Sequence, residues 1–139
     1  MPRPGIDGYV DDSLYPSSFH IQFSPVWTDR LLARHGFLPP RTGARPAFTM
    51  LDIGCGDGFG LLVNAAAYPE GRFIGIDAMP RHIDRGRALA AQLGIANVEF
   101  HCLTFAGALE IDWQPCDYVM AQGILSWVTP ANQQALLML

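Results

Sequence analysis

The sequence predicts a doubly wound α/β fold with a Rossmann-like parallel sheet. Three observations carry that prediction: four compact apolar runs, helix-like segments between them, and a glycine-rich turn directly after the first run. The runs are Phe48 to Ile53, Arg72 to Asp77, Val98 to Leu103 and Asp117 to Gln122. Their apolar character is continuous rather than alternating, as expected of parallel strands covered by helices on both faces.

Residues 1–46 come first and read as an N-terminal arm, holding seven of the eleven prolines. Within the arm, Ser24 is placed to cap a short amphipathic helix with Pro25 at its first position and Val26, Trp27, Leu31 and Leu32 along one side, ending at Gly36. Pro39, Pro40, Gly43 and Pro46 then interrupt regular structure, so the folded core is expected over residues 47–139. After the first strand, Leu61 to Ala67 reads as helix. Between the second and third strands, Pro80 opens a helix with Ile83, Leu89, Ala90 and Leu93 on its apolar side, and Gly94 closes it. The leucine-rich segment Ala131 to Leu139 reads as a last helix.

Composition narrows the chemistry. The chain has 139 residues, enough for one domain burying ~68% of its unfolded surface. All nine basic residues are arginines, which excludes a P-loop lysine, a Schiff-base lysine and a lysine general base. The net charge of −4 and the scattered arginines give no footprint for nucleic acid. Cys55, Cys102 and Cys116 are widely spaced and read as reduced, buried thiols rather than disulfides or zinc ligands. His20, His35, His82 and His101 lack metal-ligand spacing and read as surface or packing residues, so no metal is expected. With neither a signal segment nor a membrane-length apolar run, the expected location is the cytoplasm.

The informative segment is Asp52-Ile53-Gly54-Cys55-Gly56-Asp57-Gly58-Phe59-Gly60. Glycines at such a strand-to-helix turn supply positive φ and let a ligand lie against bare backbone, making Gly54, Gly56 and Gly58 contact candidates. A dinucleotide fingerprint would need glycine at position 59, where Phe59 stands. Asp52 ahead of the loop disfavours a pyrophosphate and favours a ligand ammonium group by charge pairing. Asp77 follows Gly56 by 21 residues and closes the second strand, where a carboxylate can accept hydrogen bonds from both hydroxyls of an adenosine ribose. The other reading of Asp77 is a helix-capping residue ahead of Pro80.

From about Phe48 to Val128 the sequence resembles class I S-adenosylmethionine-dependent methyltransferases, on the strength of its LDIGCGDG loop and distant acid. The resemblance implies S-adenosylmethionine as cofactor, with the loop at its methionyl end and Asp77 at its ribose. It further implies Ala78 and Met79 against the adenine ring, with Cys102 to Phe105, and in particular Thr104 and Phe105, at the adenine's polar edge. Thr104 stands where many members have aspartate. A narrower likeness runs through Gly36 with Pro39-Pro40, Phe73 to Asp77, Asn97 to Phe100 and Gly123 to Val128. Together these are similar to bacterial methyltransferases with a C-terminal regulatory domain, a group that includes protein-lysine methyltransferases. That group usually has histidine-glycine where Gln122-Gly123 stands, which removes one polar catalytic side chain.

Methyl transfer needs alignment of two reactants and no metal. Gln122 and Trp127, beyond the fourth strand, are candidates for ligand and acceptor contacts, or else a turn and a packing residue. Tyr9 and Tyr15 are candidates to close over the cofactor. No general base is assigned, and the acceptor is expected to be a protein side chain or small molecule. The resemblance implies seven strands, so four suggest a domain cut short, with an apolar edge awaiting a C-terminal segment or partner subunit. The alternatives are a nicotinamide-dependent oxidoreductase and a non-catalytic cofactor-binding module.

Overall fold

The computed structural model describes residues 16–41 and 46–139. Tyr9 and Tyr15 lie outside the described residues. A single 3-10 turn at Ile21–Phe23 leads into helix α1 (Pro25–Arg34). Then follow β1 (Phe48–Ile53), α2 (Phe59–Ala67), β2 (Gly71–Asp77), α3 (Pro80–Leu93), β3 (Val98–Cys102), α4 (Phe105–Leu109), β4 (Tyr118–Ala121) and α5 (Pro130–Met138).

The strands form one parallel sheet in the order β3-β2-β1-β4. The order reverses beside β1, so the chain winds one way through β2 and β3 and then crosses back to β4. Such a switch point opens a crevice beyond the carboxyl ends of the central strands.

Side-chain alternation along β1 and β2 divides the core into two layers. Phe48, Met50 and Phe73 pack with Leu61, Leu62, Ile83, Ala90 and Phe100, under α2 and α3. Leu51, Ile53, Ile74 and Ile76 pack with Phe105 and Ala108 on the opposite face, joined by Leu136 of α5 and by Leu139 just after it. Both faces of β1 and β2 are therefore buried, which is why their sequences run apolar without alternation.

Four expectations need correction. Helix α1 forms, but Val26, Trp27 and Leu31 are exposed and only Pro25 is buried. The helix is tied to the sheet by polar groups instead: Tyr118 donates its hydroxyl proton to Asp29, and Arg41 pairs with the same carboxylate at 3.4 Å. Ser24 occupies the N-cap position, yet its hydroxyl donates to the Ile21 carbonyl and makes no cap bond. On α3, His82 is buried and Leu93 is exposed, because the helix turns Ile83, Gly86 and Ala90 toward the sheet. Cys102 is exposed rather than buried. At the chain's last helix, Leu136 and Leu139 find partners on the Ile53 layer, whereas Leu137 and Met138 face solvent.

Asn97, in the turn before β3, joins three separate segments. Its amide nitrogen lies 3.0 Å from the carbonyls of Ala65, Tyr68 and Gly71, at the end of α2, the following turn and the start of β2. Removing it leaves these carbonyls without that donor. Asn97→Ala is expected to lower stability by ~1–3 kcal/mol, read as a lower urea midpoint with an unchanged m-value.

Candidate functional site

The turn after β1 is pinned before any ligand is considered. Gly54 and Cys55 both donate their amides to the Ile76 carbonyl, at 2.8 and 3.0 Å, which folds the loop back over the end of β2. Gly54, Gly56 and Gly58 have φ of 71°, 59° and 68°, the left-handed region that costs other residues roughly 1–2 kcal/mol each.

The three glycines do different work. A Cβ on Gly54 would run into Ile124, and one on Gly58 would overlap the Phe100 ring. A Cβ on Gly56 would meet nothing within 4 Å. Gly56 therefore faces open space, whereas Gly58 serves packing inside the fold.

That open space is a cavity of about 360 Å³ beyond the carboxyl ends of β1, β2 and β4, within the range of small-molecule sites. The wall brings together Asp52, Gly54, Gly56, Asp77, Ala78, Met79, Phe105, Gln122 and Trp127. Gly58 and Thr104 stand outside it. The Thr104 hydroxyl accepts from the Gly107 amide at 3.0 Å and caps α4, so it is committed within its own helix.

Asp77 is the most heavily bonded side chain of the wall. Its Oδ2 accepts from the Gly56 amide at 2.9 Å, and its Oδ1 accepts from the Met79 amide at 2.8 Å and from His82 Nδ1 at 3.2 Å. It does cap the region ahead of α3, and it also clasps the glycine loop. Asp52 is the opposite case: among the described residues no hydrogen bond or ion pair reaches its carboxylate. Burial, reinforced by the charge of Asp77, pushes its pKa up to about 7. Between them, Cys55 donates its thiol to the Gly56 carbonyl at 3.5 Å. Burial and the neighbouring carboxylates raise that thiol well above its ordinary range, so it is held neutral.

Several wall residues escaped sequence reasoning. Phe19, His20 and Phe23 come from the arm, whose path over the cavity is set by a small polar clasp: Ser17 donates to Asp57, and Arg85 lies 3.5 Å from the same carboxylate. Asp57 Oδ1 also accepts from the Phe59 amide at 3.2 Å, at the start of α2. An acid one residue ahead of a glycine helix start was a readable signal for that role. Nothing local announces Phe19 or Phe23, because their positions depend on where the arm crosses the sheet.

Residues 44–137 match a family described as a methyltransferase domain, and the chain belongs to it. An uncharacterized protein of Synechocystis sp. is 30% identical over 130 residues, taking in 94% of this chain and 25% of that protein. The trans-aconitate 2-methyltransferase of Streptomyces coelicolor is 35% identical over 80 residues, 55% of this chain and 25% of the enzyme. Among solved structures, PKMT2 from Rickettsia typhi in complex with AdoHcy aligns with a TM-score of 0.82 at 29% identity, over 88% of this chain and 23% of that one. The chain spans about a quarter of the length of these three proteins. Fold and family together define a class I S-adenosylmethionine-dependent methyltransferase domain, which sets aside the nicotinamide-dependent reading.

The wall suits that cofactor chemically. A half-buried carboxylate without hydrogen-bond donors, Asp52, suits a ligand ammonium group; a loop backbone bare at Gly56 permits close approach; and Asp77 offers carboxylate oxygens to hydroxyls.

Two outcomes follow. Gly58→Ala is expected to destabilise the fold by ~2–4 kcal/mol through strain and ring overlap, whereas Gly56→Ala should cost only ~1–2 kcal/mol, compared by urea denaturation. For Asp52, a folded pKa of about 7 against an ordinary value of 3.8 means the native state binds the extra proton between those limits. Stability should therefore fall as pH rises from about 4 to about 7, and Asp52→Asn should remove that fall in urea midpoints measured across the window.

Proposed function

We propose that this chain holds S-adenosylmethionine in the switch-point cavity and belongs to an enzyme that passes the methyl group to a protein side chain or small molecule. The observation that carries the proposal is the meeting of a bare Gly56 backbone and two carboxylates, Asp52 and Asp77, on one cavity wall.

The cofactor supplies a methyl group on a positively charged sulfur, so the transfer is a displacement at carbon in which that charge disappears. The chain's part is to bind, orient and dry the reactants, and alignment of this kind is worth ~7–11 kcal/mol. In this reading Asp52 balances the ammonium group, Gly54 and Gly56 lie along the methionyl end, and Asp77 takes the ribose hydroxyls. Ala78, Met79 and Phe105 bound the adenine, while Gln122 and Trp127 face the side on which an acceptor enters. Phe19 and Phe23 from the arm exclude water from above.

A net charge of −4 and nine dispersed arginines support a protein or small-molecule acceptor over nucleic acid. Among the described residues no helix is long and apolar enough to cross a membrane, and we place the activity in the cytoplasm. The edge strand β4 with exposed Val119, and exposed Leu125, Trp127 and Leu137 nearby, support coverage by a further C-terminal segment or a partner subunit in the working enzyme.

Isothermal titration with S-adenosylhomocysteine tests the cofactor reading. Measurable binding is expected, weakened at least about ten-fold in Asp77→Ala, with NAD unable to compete. Binding of NAD in preference to S-adenosylhomocysteine would overturn it.

A further inference from the structure

We infer that His82 is a positioning residue for cofactor recognition, acting through Asp77, a proposal that rests on the cofactor reading above. His82 sits on the first turn of α3, is only 3% exposed, and forms part of the cavity wall beside Met79. Its Nδ1 lies 3.2 Å from Asp77 Oδ1. A carboxylate oxygen only accepts, so Nδ1 must carry the proton in this bond.

The consequence lies in how the carboxylate's acceptor sites are divided. An ionised carboxylate offers about four lone-pair directions. On Oδ1, one is taken by the Met79 amide at 2.8 Å and one by His82. On Oδ2 the Gly56 amide takes one, at 2.9 Å. Oδ1 is thus saturated and turned toward α3, and the remaining acceptor site belongs to Oδ2, on the side of the glycine loop. Without His82, Oδ1 would keep a free acceptor direction that competes with Oδ2 for a ligand hydroxyl, and the carboxylate would be held by the two backbone amides alone, so the aim of Oδ2 would be less sharply fixed. The backbone amide of Met79 is supplied by any residue at that position, whereas the imidazole is a choice of this sequence.

This role differs from plain packing in two ways that can be measured. Asparagine places an amide N–H close to where histidine carries Nδ1, whereas glutamine places one close to Nε2. An effect passing through Asp77 also disappears once Asp77 is gone.

The test is a double-mutant cycle on the full chain, titrating S-adenosylhomocysteine into the parent, His82→Phe, His82→Asn, His82→Gln, Asp77→Ala and the His82→Phe/Asp77→Ala pair. His82→Phe is expected to weaken binding about ten-fold, the loss of one hydrogen bond to a charged group. His82→Asn should stay within about two-fold of the parent and His82→Gln should group with His82→Phe. In the Asp77→Ala background the phenylalanine substitution should change affinity by less than about two-fold. If His82→Phe does not fold, the asparagine and glutamine variants decide the matter alone. Equal losses in both Asp77 backgrounds, or glutamine rescuing as well as asparagine, would overturn the inference while leaving cofactor binding intact. Absence of binding by the parent chain would overturn both readings together.

Discussion

The carboxylate of Asp77 is the point on which this structure turns. It closes the central strand β2 and joins, through three accepted hydrogen bonds, the glycine loop at Gly56, the start of α3 at Met79 and the buried imidazole of His82. Charge-assisted bonds to backbone amides are among the stronger ones available in a protein. They fix the two segments that flank the sheet's crevice relative to each other, so the shape of the cavity is decided by one side chain at its rim.

The second constraint is electrostatic. Three carboxylates line the cavity, and of these Asp57 and Asp77 have hydrogen-bond donors; Asp52 is left with burial and a like-charged neighbour, which is why its pKa climbs to about 7. A site that holds an unsatisfied acid is poised for a positively charged guest, since such a guest relieves the repulsion between the two acids as it binds. With the Cys55 thiol held neutral and no lysine in the sequence, the cavity wall offers neither a thiolate nor an amine nucleophile. The arm adds to this by bringing Phe19 and Phe23 over the opening, held through Ser17, Asp57 and Arg85.

Much of the sheet was legible in advance because β1 and β2 are buried on both faces, and nothing but continuous apolar sequence satisfies that environment. The loop was legible for a related reason: three positive φ angles within five residues admit little other than glycine. The tasks of those glycines were not legible. Gly58 looks like Gly56 in sequence, yet Phe100, brought in from β3, stands against it and gives it a packing role. Thr104 looked available to a ligand until the start of α4 claimed its hydroxyl. Helix α1 shows the same limit, for its apolar stripe reads as a buried face, while the structure attaches it by the Asp29–Tyr118 bond and leaves the stripe in solvent.

Sequence alone determined the α/β class, the parallel strands, the glycine-rich turn after β1 and the acid that closes β2, because each follows from local chemistry: apolar continuity, backbone conformation and a charge at a strand end. Tertiary structure decided which groups share the cavity, which glycine is bare, and that the buried His82 meets the Asp77 carboxylate. Those facts depend on contacts between segments far apart in the chain, and a sequence read along its length carries no distance between them.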